Sequence, residues 1–258
     1  MSKAPALRTE DLRIQGRGNF GISITLHAGE RVGIWGTEGS GKSALLHVLA
    51  RLDRPTGGRL YWGEEEISRR PRWLLGKRQK SVRLLWKNPY ALFEESLRAG
   101  RLLNSRQEHE RDVQALLQAN HLSPAIRSFE VETLSGSQRV RLALAYLESP
   151  EILLVDDVFS HLIPEAWPTL LTLLDKAVGE RGALLVASQH RRALAIADTV
   201  YVMLDGDIVE WGPSEAVLEQ PGHPYTRWLA ERSLGRTVHV DAWRRTRARE
   251  LTDGELPS

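Results

Sequence analysis

The chain has 258 residues, 41% apolar and 26% charged, with a formal net charge of +2. That is ordinary for a soluble globular protein and enough for one large α/β domain or two small lobes. The absence of cysteine excludes disulfides, thiolate metal sites and iron–sulfur clusters; no apolar run approaches the ~18 residues of a membrane span, and the mixed, polar start Met1–Glu10 predicts no secretory leader. Residues 7–35 carry short alternating runs such as Ile22-Ser23-Ile24-Thr25-Leu26, split by Gly16, Gly18 and Gly29, which predicts antiparallel strands. The last run, Arg31–Trp35, reads as a short buried strand.

It leads into Gly36-Thr37-Glu38-Gly39-Ser40-Gly41-Lys42-Ser43, the pattern G-x-x-x-x-G-K-[ST]. In such a loop backbone N–H groups wrap a β-phosphate, the lysine reaches the β/γ-phosphates and the final hydroxyl can ligate Mg²⁺. Ser43–Ala50 reads as a helix whose positive N-terminus faces the phosphates. Gly36, Gly39, Ser40, Gly41, Lys42, Ser43 and Ala44 are therefore the expected nucleotide-binding set, with Ser43 also a candidate metal ligand. A further strand is expected at Arg59–Gly63. Basic residues then crowd one stretch: Arg69, Arg70, Arg72, Lys77, Arg78, Lys80, Arg83 and Lys87. They read as a solvated face or as a contact for phosphate headgroups or an acidic partner.

From about Asn88 to Ser149 the spacing becomes helical, with Leu102, Leu103, Val113, Leu116 and Leu117 among charged residues. Leu134-Ser135-Gly136-Ser137-Gln138 has capping-box spacing ahead of a helix expected over Arg139–Glu148, and its loop–helix start could also face an anion. Ile152–Val155 is a buried strand ending in Asp156-Asp157. Behind a phosphate loop, an acid at a strand end is a candidate Mg²⁺ holder; elsewhere it is an ordinary acidic turn. Ala183–Ala187 and Thr199–Leu204 are further buried strands, and His190 follows the first of them. Arg-rich Asp241–Ser258 reads as a loose tail. The expected organisation is an α/β nucleotide core over 1–87 and 150–234, a helical lobe inserted at 88–149, and a basic tail at 235–258.

Taken together, these motifs resemble the nucleotide-binding subunit of an ABC transporter over about residues 5–232. Leu134–Gln138 is similar to the family's LSGGQ signature, with Ser137 in place of a glycine. Asp156 matches its magnesium-site aspartate and His190 its switch histidine. Asp205–Pro213, followed by His223-Pro224-Tyr225-Thr226, resembles the peptide and nickel importer branch, and also accessory proteins of phosphonate breakdown. The resemblance implies a phosphate-loop (RecA-like) α/β core with an N-terminal antiparallel β-subdomain and an inserted helical subdomain. It further implies a head-to-tail dimer closing on two ATP molecules with Mg²⁺. Each ATP would lie between one subunit's phosphate loop and the other's Ser135, Gly136 and Gln138. The implied setting is the inner face of the cell membrane, docked on transmembrane permeases and served indirectly by a solute-binding protein outside.

Several positions depart from that pattern. Asp157 stands where the family has a glutamate that polarises water; a misplacement near 1 Å can lower a rate about 10²-fold. Lys87 replaces a glutamine near the Mg²⁺ and cannot ligate a cation, though it could pair with a γ-phosphate oxygen. Ser160-His161-Leu162-Ile163 lacks the usual final aspartate, and residues 14–16 lack the aromatic expected under adenine, Phe20 being the nearest. Losing such a stack removes about 1–3 kcal/mol by analogy with base–aromatic stacking. Glu38 adds a negative charge to a loop built for phosphates. With Asp157, His190 and Lys87 as the candidate catalytic group, this chain's own site is expected to turn over poorly, and an unlike second ATP-binding subunit is the expected partner. A non-transporting ATP-binding assembly protein is the alternative. A DNA or ribosome ATPase is disfavoured, because there is one phosphate loop and no room for a coiled-coil or zinc insertion.

Overall fold

Apolar runs with no polar alternation need cover on both faces, and the central sheet provides it. The computed structural model describes residues 5–75, 81–87, 115, 117–130, 133–147 and 150–235. Strands β1 (Pro5–Ile14), β2 (Arg17–Ile22), β3 (Thr25–His27), β5 (Gly57–Trp62) and β6 (Glu65–Glu66) form an antiparallel sheet ordered β2-β1-β5-β6, with β3 also on β1. Strands β4 (Arg31–Trp35), β7 (Val82–Leu85), β8 (Ile152–Asp156), β9 (Ala183–Ser188), β10 (Thr199–Leu204) and β11 (Asp207–Pro213) form the second sheet, ordered β11-β10-β4-β9-β8-β7. All its pairings are parallel except that of the β10–β11 hairpin. The α-helices among the described residues are α1 (Lys42–Leu49), α2 (Gly136–Leu147), α3 (Trp167–Val178), α4 (Ser214–Glu219) and α5 (Pro224–Ser233).

Period-two alternation divides each central strand between two cores. Leu153 and Val155, Leu184 and Val186, and Val200 and Val202 face the core built with α2, α3, α4 and α5. Ile152 and Leu154, Leu185 and Ala187, and Tyr201 and Met203 face the core shared with α1 and the antiparallel sheet. Arg31 fastens the edge where α3 ends. Its guanidinium pairs with Asp175 at 2.7 Å and donates to the carbonyls of Gly179 and Gly182, both at 2.9 Å, while its backbone N–H donates to Asp198.

Two expectations shift. The run Ile22–Leu26 is not one strand: β2 ends at Ile22 and β3 starts at Thr25. The buried Thr9 hydroxyl bridges the break, donating to Ile22 O at 2.8 Å and accepting the Ile24 N–H at 3.0 Å, beside a backbone bond from Thr9 N–H to Ile24 O at 2.9 Å. The helix expected from Arg139 begins at Gly136 instead. Of the expected helical lobe, Leu102, Leu103, Val113 and Leu116 lie outside the described residues, as do Lys77, Arg78, Lys80 and the tail from 236. Leu117, Leu122, Ile126 and Leu134 are described and join the same core as α2. Among the described residues no helix is long and apolar enough to cross a membrane.

Candidate functional site

The parallel strands end together. Register aligns Trp35 with Ser188 and with Val202, and Asp156 with Ala187, so loops after β4, β8, β9 and β10 meet at one edge. In open α/β sheets that carboxyl edge, where strand order reverses, is where ligands bind; β4 sits at the reversal, between β10 and β9.

The loop Gly36–Gly41 leaves β4 there and turns into α1. Its geometry requires glycine at two points. A Cβ on Gly36 would stand 2.4 Å from Met203 O. Gly41 caps α1 at φ 109°, and a Cβ there would press on Met203 Cε and Gly206 Cα. The β10–β11 turn supports the loop from below, with Gly206 N–H donating to Ser40 O at 2.8 Å. Lys42 folds back over the loop: Nζ donates to Gly36 O at 2.8 Å, Thr37 O at 2.6 Å and Ser40 Oγ at 3.2 Å. These partners are all neutral oxygens. Burial drives the Lys42 pKa down to about 8, against the opposing pull of Asp157 and Asp156. A buried ammonium so held is suited to an anion.

Beside it, Ser43 Oγ donates to Asp156 Oδ1 at 2.8 Å, and Asp156 is buried. Burial raises the Asp156 pKa, with the Ser43 hydrogen bond acting the other way. A hydroxyl and a carboxylate on rigid elements are the hard oxygen donors that Mg²⁺ accepts, with phosphate oxygens and water completing its shell. The donor set therefore fits: Ser43 and Asp156 would hold the ion, which would supply neutralisation of phosphate charge. Lys87 offers it nothing. Its Nζ lies 2.9 Å from Glu38 Oε1, so two departures noted separately in the sequence form one ion pair.

Asp157 is buried and left-handed at φ 39°. Its N–H donates to Ala187 O at 2.9 Å. Ser188 Oγ donates to Oδ1 at 2.9 Å and Ser160 Oγ to Oδ2 at 2.8 Å. Ser160 Oγ also lies 3.1 Å from Gln189 Nε2 and 3.2 Å from His190 Nε2. With its one proton given to the carboxylate, Ser160 accepts from both, which assigns the Nε2–H form to His190. The His190 ring packs on Trp167 at 5.1 Å between centroids, and the His190 backbone N–H donates to Ser188 Oγ at 3.1 Å.

The structure thus brings Gly36, Gly39, Ser40, Gly41, Lys42, Ser43, Ala44, Lys87, Asp156, Asp157 and His190 to one edge. Ser135, Gly136 and Gln138 form their own cluster. Ser135 N–H donates to Gln138 Oε1 at 2.9 Å and Gln138 N–H to Ser135 Oγ at 3.3 Å, a closed capping box at the start of α2. Their polar atoms bond to each other rather than to the phosphate loop. Ile163 is 68% exposed and offers no side-chain cap to the turn Pro164–Ala166. Ile14 points into the core beside β1, and Phe20 lies 59% exposed on β2, so residues 14–16 hold no aromatic platform.

Sequence reasoning missed the roles of four supporting groups. Ser188 ends β9 and Gln189 follows it, with nothing in their spacing to mark them. Tyr225, from the His223–Thr226 element, reaches the phosphate loop: its hydroxyl accepts Thr37 N–H at 3.1 Å and lies 3.1 Å from Thr37 Oγ1. Glu210 holds that element in place by accepting Gly222 N–H and His223 N–H, and His223 Nδ1 caps α5.

A family profile described as ABC transporter matches residues 20–160. The chain is 30% identical over 251 residues to the di/tripeptide transport ATP-binding protein DppF of Pseudomonas aeruginosa, covering 92% of this chain and 76% of that one. It is 30% identical to the methionine import ATP-binding protein MetN of Xanthomonas campestris, covering 91% and 72%. Its fold superposes on cbiO1 from Clostridium perfringens, part of an ABC transporter complex, with a TM-score of 0.71 at 21% identity, covering 89% and 97% of the two chains. A dimeric ATP-binding cassette bound to ADP and phosphate gives 0.68 at 19% identity, covering 81% of this chain and 98% of that one.

Proposed function

Because the chain belongs to the ABC transporter family, we propose that it is the ATP-binding subunit of an importer, of the peptide-transporting branch, and that it pairs with an unlike ATP-binding subunit. The carrying observation for nucleotide binding is the buried Lys42 ammonium held over a glycine loop beside the Ser43–Asp156 pair. Likeness to DppF and MetN supports the importer reading, and a peptide as solute rests on the DppF likeness and the His223–Thr226 element. In this reading the phosphate loop binds ATP with Mg²⁺ at Ser43 and Asp156. Ser135, Gly136 and Gln138 face the ATP of the other subunit, and closure of the dimer moves permeases docked beside the helical lobe expected at 88–149.

Low turnover at the chain's own site follows from Asp157. Both its carboxylate oxygens accept serine hydroxyls, leaving the shorter side chain poorly placed to activate water. The unlike partner rests on the departures gathered at this chain's own site, Glu38, Lys87, Asp157 and Ile163, while Ser135 and Gly136 of the signature are present. The test is ATP turnover by the purified chain alone and with a candidate partner ATPase, alongside membrane-extract co-purification. Turnover is expected only in the mixed assembly, together with permeases. Robust turnover by the chain alone would overturn the unlike pair. Co-purification with soluble enzymes and no permease would replace the importer by an ATP-binding assembly protein.

A further inference from the structure

Lys87 and Glu38 lie just beyond the ends of two different strands, β7 and β4, and meet at the phosphate loop. β7 and β8 run in parallel register, with Leu85 beside Val155. Lys87 lies two residues beyond the first and Asp157 two beyond the second, so Lys87 emerges at the carboxylate end of the site. From there it spans to Glu38 on the loop after β4, at 2.9 Å. The Glu38 side chain is 77% exposed and that of Lys87 32%, so this is a screened surface pair, of a kind that contributes little to folding.

The surroundings of Lys87 are more informative than the pair itself. Its charge is reinforced first by the hydrogen bond to Glu38 and, more weakly, by Asp157 and Asp156. Lys42 is pushed toward neutrality chiefly by burial, with a smaller push from the neighbouring Lys87 charge. Two ammonium groups thus border the space above the loop, one fixed by neutral carbonyls and one tethered to a movable carboxylate. A dianionic phosphate outcompetes a single exposed carboxylate for an ammonium. A divalent cation at the same place is repelled by it.

Resting on the nucleotide-binding reading above, we propose that Glu38 and Lys87 form an exchangeable ion pair that selects for a terminal phosphate. Lys87 leaves Glu38 for the γ-phosphate of a nucleoside triphosphate and adds its charge to that of the cation Ser43 and Asp156 would hold. A diphosphate does not reach Lys87, and the pair stays closed. Glu38 is then a built-in competitor for Lys87 that only a ligand carrying the third phosphate displaces.

The test is calorimetric titration of the full chain with ATP and with ADP, each in Mg²⁺ and in EDTA. Lys87→Gln is expected to weaken ATP binding in EDTA about tenfold, the scale of one charge-assisted contact, while leaving ADP unchanged. Lys87→Arg keeps the charge and is expected to retain the preference. Glu38→Gln is expected to tighten ATP binding severalfold, and to have no effect in the Lys87→Gln background. Equal loss of ATP and ADP in Lys87→Gln, or no loss of either, would overturn the exchange while leaving the nucleotide-binding reading intact. Failure of the unaltered chain to bind either nucleotide would overturn that reading and the exchange together.

Discussion

Asp157 is held more tightly than a water-activating carboxylate needs to be. It is buried, at positive φ, with one oxygen bonded to Ser188 and the other to Ser160. Ser188→Ala removes the donor to a buried carboxylate oxygen and is expected to destabilise the fold by about 1–3 kcal/mol. Urea unfolding measures it, and a change below about 0.5 kcal/mol, the range of a neutral surface substitution, would mean that bond is dispensable. Asp157→Glu extends the carboxylate toward the loop. If its reach limits chemistry, turnover in the partnered assembly rises by up to about 10²-fold. An unchanged rate assigns the limit to Lys87.

Among the described residues, α5 reaches the phosphate loop through the hydroxyl of Tyr225. Tyr225→Phe keeps the buried ring but removes the hydroxyl that meets Thr37 N–H and Oγ1. The variant is expected to keep its far-ultraviolet dichroism and lose a few-fold in ATP affinity, because the loop loses its outer tether. An unchanged affinity would reduce the contact to packing. At α2 the capping box makes a separate expectation. Ser135→Ala is expected to lower stability by about 1 kcal/mol in the isolated chain, read by thermal unfolding, before any effect on a partner's nucleotide. Gly136 leaves little slack at that helix start, since a Cβ there would lie 3.2 Å from His161 O.

For the whole molecule, the two cores on either face of the central sheet both enclose a tyrosine hydroxyl. Burial raises the pKa of Tyr201 and of Tyr225 above the usual 10.0. In the unfolded chain both phenols ionise near pH 10, while in the fold they stay protonated longer. The folded state therefore binds more protons in that window, and stability falls as pH rises above about 10. Denaturant midpoints from pH 8 to 11 check the sign. The Tyr201→Phe, Tyr225→Phe double variant is expected to flatten the upper limb, and a limb of unchanged slope would place its origin elsewhere.

The sequence by itself determined the nucleotide loop, the strands that carry it and the acid after β8, because each is encoded by neighbours in the chain. A glycine–lysine–serine spacing, an unbroken apolar run and a capping box express local sterics and hydrogen bonding. Only the tertiary structure decided which distant groups share a boundary. Glu38 and Lys87 read separately as two defects and prove to be one ion pair. Ser188 and Gln189 carried no local mark, and Tyr225 belonged to a helix 188 residues away from the loop it touches. The reason is physical: parallel strands bring their ends together through crossovers of many residues. A contact across that edge depends on strand order and register, which no short stretch of the chain contains.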